Sequence, residues 1–332
     1  MPLNKALKDN KNKYQNPIPT TMASFSEMPA ILKRYWNADS KNRKPSGLIP
    51  VIQMDPKILD YPPSEDIQIY WMGHTSLLLE TGGRRYLLDP VLSERASMSQ
   101  SIGPKRMHPS PIAINDLKNI DAVILSHDHY DHLDYHVMKA LSKTGTLFYV
   151  PVGVGKILQG WGCKRENIFE LNWWDEINDG ANKLIATPAR HFSGRGLTNR
   201  NTTLWCSWCI INTKNRIYFG GDSGIMPQYE DIGNEFGPFD LTIMPIGAYD
   251  EAWHDIHIFP FEAVDAHIKL KGKKMLPVHW ATFNLAFHPW SEPIEQLLNE
   301  ADKKGIELIT PIVGEQITID YKSKSKWWNF DN

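Results

Sequence analysis

The sequence predicts an α/β fold in which two β-sheets pack face to face and helices cover their outer sides. Short strand patterns dominate and come in runs, and helical patterns are interleaved with them later in the chain. Many neighbouring strands are joined by turns of hairpin length, which disfavours a doubly wound parallel sheet. The 332 residues are 42% hydrophobic and 22% charged, which is typical of a globular protein with a sizeable core.

The first predicted strands occupy 67–71, 76–81 and 85–88, where short runs are rich in β-branched, aromatic and other apolar residues. Gly82-Gly83 between the last two strands predicts a hairpin. The following segment, 91–119, lacks a regular pattern, and loops of this length are often functional. A short apolar strand at 122–125 then leads directly into a cluster of histidines.

Helices and strands alternate in the rest of the chain. Predicted helices occupy 134–142, 153–161, 260–271 and 292–304. Predicted strands occupy 147–150, 168–171, 183–188, 204–212, 216–220, 241–245 and 274–277. No internal repeat is visible at the scale of 20–50 residues, so the pattern does not predict a repeat protein.

Charge and cysteine usage exclude several classes of protein. The net charge of −2 provides no field for a polyphosphate, so we expect no nucleic-acid partner. Three cysteines do not form a secreted disulfide framework. Cys206 and Cys209 have the spacing of a metal knuckle, but they lie in a predicted buried strand, which favours a structural role. We find no secretory signal and no apolar run of membrane-spanning length, so we expect a cytoplasmic protein, at most peripheral to the inner membrane face.

The histidine cluster is the most specific feature of the sequence. His127, His129, Asp131 and His132 lie within six residues, immediately after a strand. Imidazole nitrogens and carboxylate oxygens are the ligands that zinc prefers at catalytic sites. A solvated polar loop is the alternative, but four titratable groups this close would repel one another unless something neutralised them.

Three further residues follow predicted strands elsewhere in the chain, namely His191, Asp222 and His279. Each alone would more often be structural, but together they can converge on one edge of the sheets. Three ligands can then serve each of two metals: His127, His129 and His191 for one, and Asp131, His132 and His279 for the other. Asp222 can bridge the two metals, which leaves a position open for water, as catalytic zinc requires.

These motifs, in this order, resemble the metal site of the metallo-β-lactamase superfamily. A narrower resemblance is to the N-acyl-phosphatidylethanolamine-hydrolysing phospholipase D family, and it covers about residues 14–315. Its most specific motifs here are GPKR at 103–106 and the stretch FGPFDLTIMPIGAYD at 236–250. The similar segments are 14–20, 70–80, 87–97, 102–112, 120–135, 236–250 and 277–283. More distantly, GHTS and LLDP resemble the ascorbate-6-phosphate lactonases.

The resemblance implies a four-layer αββα sandwich with two zinc ions at one edge. It implies a catalytic domain over 67–320 and an N-terminal extension over 1–66 that packs on this domain. The implied reaction is hydrolysis of an N-acylated phospholipid to an N-acylethanolamine and phosphatidic acid, by a metal-bridging hydroxide. The implied partners are a phospholipid, a membrane surface and a second copy of the chain.

Roles for individual residues follow from the same resemblance. Asp131 would orient the nucleophile, and His257 would steady the phosphate or protonate the leaving alkoxide. Asp89 and His74 would support the metal-binding imidazoles through hydrogen bonds, although a purely structural role for His74 is an equal alternative.

The substrate is the open question of the sequence. Lys105 and Arg106 could hold a substrate phosphate. Segment 21–60 carries an apolar stripe on a predicted helix around 29–36, which is more often core but would suit a membrane surface. Its apolar residues are Phe25, Met28, Ile31, Leu32, Tyr35 and Trp36, and its cations are Lys33, Arg34, Lys41, Arg43 and Lys44. The main alternative is a soluble metallo-hydrolase of small phosphosugar lactones or phosphodiesters.

Overall fold

Two seven-stranded sheets form the centre of the computed structural model, which describes residues 4–21, 29, 33, 42–196, 198–323 and 326–330. In chain order the strands are β1 (Gln68–Trp71), β2 (Leu77–Thr81), β3 (Arg84–Leu88), β4 (Ala122–Ile124), β5 (Leu147–Pro151), β6 (Ile168–Leu171), β7 (Glu176–Asp179), β8 (Asn182–Thr187), β9 (Ser207–Ile211), β10 (Arg216–Phe219), β11 (Phe239–Pro245), β12 (Gly272–Val278), β13 (Glu307–Leu308) and β14 (Gln316–Thr318). The α-helices are α1 (Tyr135–Leu141), α2 (Val154–Gly160), α3 (Gln228–Phe236), α4 (Pro260–Lys269) and α5 (Glu292–Lys304). Short 3-10 helices occupy Pro56–Asp60, Ile114–Asp116, Arg165–Asn167 and Glu251–Trp253.

Each sheet is antiparallel on one side and parallel on the other. The first sheet has the order β14-β1-β2-β3-β4-β5-β6 and becomes parallel from β3 onward. The second has the order β13-β12-β11-β10-β9-β8-β7 and is parallel from β10 to β13. The predicted hairpin at Gly82-Gly83 is confirmed, since Thr81 pairs with Arg84 across it.

Successive residues of a strand point to opposite faces of its sheet. In the first sheet, one face packs in the core between the sheets and the other packs against the helices. On β4, Ala122 and Ile124 belong to the core between the sheets, whereas Val123 belongs to the cluster that contains α1 and α2. The indole Nε1 of Trp208 donates to the carbonyl of Leu125 at 2.9 Å, which links the two sheets directly. Helix α4 packs against β11 and β12 of the second sheet. The layers therefore follow the predicted order αββα.

Four elements were not predicted: strands β7, β13 and β14, and helix α3. The three strands have only two to four residues each, which is too short for a sequence pattern to reveal. Helix α3 buries Tyr229, Ile232 and Gly233 but is otherwise polar. The predicted strand over 204–212 begins at Ser207. Cys206 and Cys209 are buried in the core without a disulfide, as the structural interpretation requires.

The predicted helix around 29–36 and its apolar stripe lie outside the described residues, apart from Pro29 and Lys33. The described N-terminal residues contact the loop that follows β8. The side chain of Asn16 donates to the carbonyl of His191 at 2.8 Å and accepts from its N–H at 2.9 Å. None of the helices in the described ranges combines the length and apolar character needed to cross a bilayer.

Candidate metal centre

The candidate site residues follow strands that run in the same direction within each sheet. In the first sheet, His74 follows β1, Asp89 follows β3, and the motif beginning at His127 follows β4. In the second sheet, His191 comes after β8, and Asp222 and His279 come after β10 and β12. These residues meet at one edge between the sheets, as the sequence analysis predicts. Asp134 ends the motif by accepting from the N–H of His136 at 2.8 Å, which begins α1.

Three imidazoles form the first donor set. Nδ1 of His129 lies 2.9 Å from Nε2 of His127 and 3.2 Å from Nε2 of His191. Burial lowers the pKa of all three imidazoles below the ordinary value, because it disfavours their charged forms. Neutral imidazoles expose a lone pair, which is the form that a metal ion binds.

The second donor set combines one carboxylate with two imidazoles. Oδ2 of Asp131 lies 3.5 Å from Nε2 of His132 and 3.4 Å from Nε2 of His279. His74 stands behind this set, with its Nε2 3.0 Å from the same Asp131 oxygen. The ring of His74 also lies against that of His279, with centroids 4.0 Å apart.

Asp222 joins the two donor sets through a single oxygen. Its Oδ2 lies 3.1 Å from Nε2 of His132 and 3.2 Å from Nε2 of His279. The same oxygen lies 3.7 Å from Nε2 of His191 and 3.9 Å from Nε2 of His127. A carboxylate in this position can contact both sets, and the expected role of Asp222 as a bridge between two metals stays a prediction.

The unpaired atoms of the site show that this donor arrangement fits a bound cation. Among the described residues, Nε2 of His132, Nε2 of His279 and Oδ1 of Asp222 are buried and have no hydrogen-bond partner. Buried polar atoms are normally satisfied, so these three unpartnered atoms on neighbouring side chains indicate a ligand. Nitrogen and carboxylate donors in these groupings are chemically suited to divalent metals.

Charge in the second set supports the same conclusion. Burial would raise the pKa of the Asp222 carboxyl, but His132 and His279 hold it well below its ordinary value. Burial would lower the pKa of His279, but Asp222 and Asp131 outweigh it and raise that pKa to about 9. The two carboxylates therefore draw positive charge to this set, either as protons or as a metal ion.

Hydrogen bonds behind the donors fix their orientation. Nδ1 of His132 lies 2.7 Å from Oδ2 of Asp89, and Nδ1 of His191 lies 2.9 Å from the carbonyl of Ile256. Each contact places the ring proton on Nδ1 and leaves Nε2 free for a metal. His74, Asp89 and His279 have left-handed backbones with φ of 52°, 37° and 66°, a strain that clusters at functional sites.

A cavity of about 320 Å³ opens onto the metal centre. His129, Asp131, Asp222 and His257 line it on the polar side. The remaining lining residues are Phe192, Arg200, Ala248, Trp253, Ile256 and Leu285. Sequence reasoning missed these six residues. Phe192 and Ile256 carried a signal, because each is adjacent to a predicted site histidine, and Ala248 lies in the family-like segment 236–250.

His257 lies beside the donor sets, where the resemblance expects it. Its Nδ1 is 4.0 Å from Oδ2 of Asp222 and has no hydrogen-bond partner. Lys105 and Arg106 lie outside the donor sets. Lys105 pairs with Glu94 at 2.7 Å, and Arg106 is buried. Neither residue lines the cavity at the metal centre, and their expected role toward a substrate phosphate stays a prediction.

Comparison with known proteins identifies the family. A family model described as a beta-lactamase superfamily domain matches residues 84–280. An uncharacterised protein of Mycobacterium tuberculosis is 47% identical over 255 residues, which are 76% of this chain and 68% of that protein. N-acyl-phosphatidylethanolamine-hydrolyzing phospholipase D 1 of Caenorhabditis elegans is 36% identical over 262 residues, 74% of each chain.

Solved structures agree on the fold. The structure of a metallo hydrolase from Ignicoccus hospitalis has a TM-score of 0.60 at 20% identity, and the match covers 77% of this chain and 99% of the other. The family model, the relatives and the paired donor sets therefore lead to one conclusion. This chain is a metal-dependent hydrolase that belongs to the metallo-β-lactamase superfamily and, within it, to the N-acyl-phosphatidylethanolamine-hydrolysing phospholipase D family.

Proposed function

We propose that the protein is a zinc-dependent phosphodiesterase of the phospholipase D type. Its substrate is an N-acyl-phosphatidylethanolamine, and its products are an N-acylethanolamine and phosphatidic acid. One observation carries the proposal: the two donor sets share Oδ2 of Asp222 and open into a cavity with a largely apolar wall. The name of the Caenorhabditis elegans relative supports the choice of substrate.

The residues present fit two zinc ions. The first would be held by His127, His129 and His191, the second by Asp131, His132 and His279, and Asp222 would contact both. When bound, zinc lowers the pKa of a coordinated water toward neutrality and neutralises charge on phosphate oxygens.

The protein's own groups position the reactants. Asp131 presents its carboxylate to the cavity, where it can accept a hydrogen bond from the attacking water and aim it at phosphorus. Nδ1 of His257 lacks a protein partner, so this ring can donate to a phosphate oxygen or to the departing alkoxide. Arg200 adds a positive charge to the cavity wall. Its guanidinium carbon Cζ lies 4.7 Å from the ring centroid of Phe192.

The apolar part of the cavity wall supports the choice of a lipid over a sugar substrate. Trp253, Ile256 and Leu285 offer no hydrogen-bonding partner for a ring of hydroxyls beyond one indole N–H, and that N–H already donates to the carbonyl of Ala248 at 2.7 Å. Acyl chains placed against these residues would exclude water from the reacting phosphate.

The decisive experiment uses zinc-loaded protein and N-acyl-phosphatidylethanolamine in mixed micelles, with the products identified by mass spectrometry. We expect N-acylethanolamine and phosphatidic acid in equal amounts. The Asp222→Asn variant should lose this activity, whereas His136→Asn, which changes an exposed histidine on α1, should retain it. Turnover of a phosphorylated sugar lactone with the lipid intact would instead establish the soluble-hydrolase alternative.

The proposal includes two properties of the enzyme in its setting. Because the substrate resides in a bilayer, we propose peripheral association with the cytoplasmic membrane face, to be measured by pelleting with phosphatidylcholine vesicles that contain the substrate. We also propose a homodimer, on the strength of the resemblance to the family, to be measured by sedimentation velocity. A protein that sediments only as a monomer would remove the second property and leave the chemistry untouched.

A further inference from the structure

A second cavity, of about 660 Å³, is lined by five cationic side chains and, among the described residues, by no acidic one. The cationic residues are Arg43, Lys44, Arg95, Lys105 and Arg106. Gly103, Pro104, Met107 and Asn284 complete its lining. We call this space the basic cavity. It contrasts with the chain as a whole, whose net charge is −2.

Two arginines of the basic cavity bind backbone carbonyls rather than carboxylates. Arg95 donates to the carbonyls of Gln100 and Gly103, at 3.1 and 2.6 Å. Arg106 donates to the carbonyls of Met72 and Val91, at 2.9 and 2.7 Å. Within the described part of the chain, no carboxylate lies within ion-pair distance of either guanidinium. A buried charge without a counter-charge is costly, so the cavity favours an anion.

Arg106 and Lys105 each have a nitrogen that can bind an incoming anion. Arg106 is buried, yet its Nε has no hydrogen-bond partner. Lys105 pairs with Glu94, but both side chains are 57% exposed. An exposed pair of this kind is weak, so Lys105 can exchange its partner for a bound anion at little cost.

The basic cavity adjoins the metal centre. A small cavity is lined both by Arg43 and Asn284, which also line the basic cavity, and by His74 and His279 of the metal centre. The polypeptide also connects the two. The N–H of Met107 donates to the carbonyl of Thr282 at 2.8 Å, and the hydroxyl of Thr282 accepts from the N–H of His74 at 2.6 Å.

We propose that the basic cavity is a second anion site, which binds a phosphate monoester separately from the metal centre. Arginine favours phosphate, and Arg95 and Arg106 each keep N–H donors beyond the two that bind carbonyls. The cavity is much larger than a bare phosphate ion, so it has room for an ester. The ester is either a phospholipid headgroup or a soluble metabolite, and the site exists whether or not the proposed reaction is correct.

The test compares two double variants of equal net charge. Lys44→Glu with Lys105→Glu reverses two exposed charges of the basic cavity, and Lys183→Glu with Lys303→Glu reverses two exposed charges elsewhere. Zinc-loaded protein is titrated with inorganic phosphate by calorimetry. We expect the first double variant to bind phosphate at this site about tenfold more weakly, a change of about 1.4 kcal/mol. The control variant and Asp222→Asn should keep it.

Two further arms identify the source of the phosphate. Pelleting with phosphatidylcholine vesicles is measured with and without phosphatidic acid, and competition is measured with glycerol 3-phosphate. If only the first double variant loses binding to vesicles that contain phosphatidic acid, the ligand is a lipid headgroup. If glycerol 3-phosphate competes with inorganic phosphate and the protein does not bind these vesicles, the ligand is a soluble ester. Thermal melting confirms that each variant is folded, and Lys44→Gln with Lys105→Gln replaces the first variant if it is not. Wild-type phosphate affinity in the folded variant would overturn the proposal.

Discussion

Oδ2 of Asp89 lies 2.7 Å from Nδ1 of His132, and both side chains are fully buried. The backbone N–H of Ser126 donates to the other oxygen of Asp89 at 2.7 Å, so the carboxylate is held on both sides. The contact orients His132 so that its Nε2 points at Asp222, 3.1 Å away. We therefore expect Asp89 to act on the metal centre by orienting His132.

Replacing Asp89 by asparagine should weaken metal binding while leaving the protein folded. Asparagine keeps the shape of the side chain but removes the charge that stabilises the Nδ1–H form of His132. We expect metal affinity to fall by about 10–100-fold, measured by titration against a competing chelator. Asp66→Asn, which changes an exposed carboxylate, is the control. Equal metal affinity in the two variants would show that Asp89 has no positioning role.

Gly221→Ala should lower the stability of the protein and displace Asp222 from the two donor sets, because Gly221 precedes Asp222 in a left-handed turn. Its φ is 58°, and an added Cβ would lie 2.5 Å from Cβ of Ser126. Strain of this kind costs about 1–3 kcal/mol. We expect urea unfolding to show this loss, together with reduced metal content.

The matched control for that change is Gly145→Ala, where an added Cβ would meet no atom within 4 Å. This variant should unfold at nearly the wild-type urea concentration and retain its metal. If both alanine variants lost the same stability, the close approach at Gly221 would not be the cause.

Trp327→Ala should destabilise the protein and loosen the loop that carries His279. The ring of Trp327 stacks on Trp280 with centroids 5.2 Å apart, and Trp280 directly follows His279. Removing a buried indole costs about 3–5 kcal/mol. Urea unfolding should show this loss, and Trp327→Phe should recover part of it. Unchanged stability in Trp327→Ala would mean that the stack contributes nothing to the folded state.

His267 should make the protein less stable as the pH falls, because burial lowers its pKa to about 4. Its Nδ1 lies 2.7 Å from the hydroxyl of Thr242 on β11. Between pH 6.5 and 4, His267 binds a proton in the unfolded chain but not in the folded protein. The contribution of His267 to the free energy of unfolding is therefore complete above pH 6.5. Below pH 6.5 it declines by at most about 1.4 kcal/mol per pH unit.

The check is the free energy of urea unfolding across that range. His267→Gln should show a shallower decline with falling pH than the wild type, whatever its stability at neutral pH. His136→Gln, an exposed change on α1, should keep the wild-type slope. Identical slopes in all three proteins would assign the pH dependence to other groups.

Sequence patterns predicted most of the elements that position the site. The hairpin at Gly82-Gly83 and the strand before His127 were readable because alternation and turn residues are local signals. The edge strands β13 and β14 were missed, since their formation depends on neighbours that are distant in the chain. Arg200 and Trp253 were missed at the cavity for the same reason.

By itself, the sequence determined the chemistry of the donors and the layered fold that brings them to one edge. Residue types and strand periodicity are sufficient for that, because both are encoded over a few neighbouring positions. Only the tertiary structure decided that Asp222 shares one oxygen between the two donor sets. It also decided that Lys105 and Arg106 line a different cavity from His257. Such outcomes depend on loop conformations, including the left-handed backbones at His74, Asp89 and His279, that only packing between distant segments can hold in place.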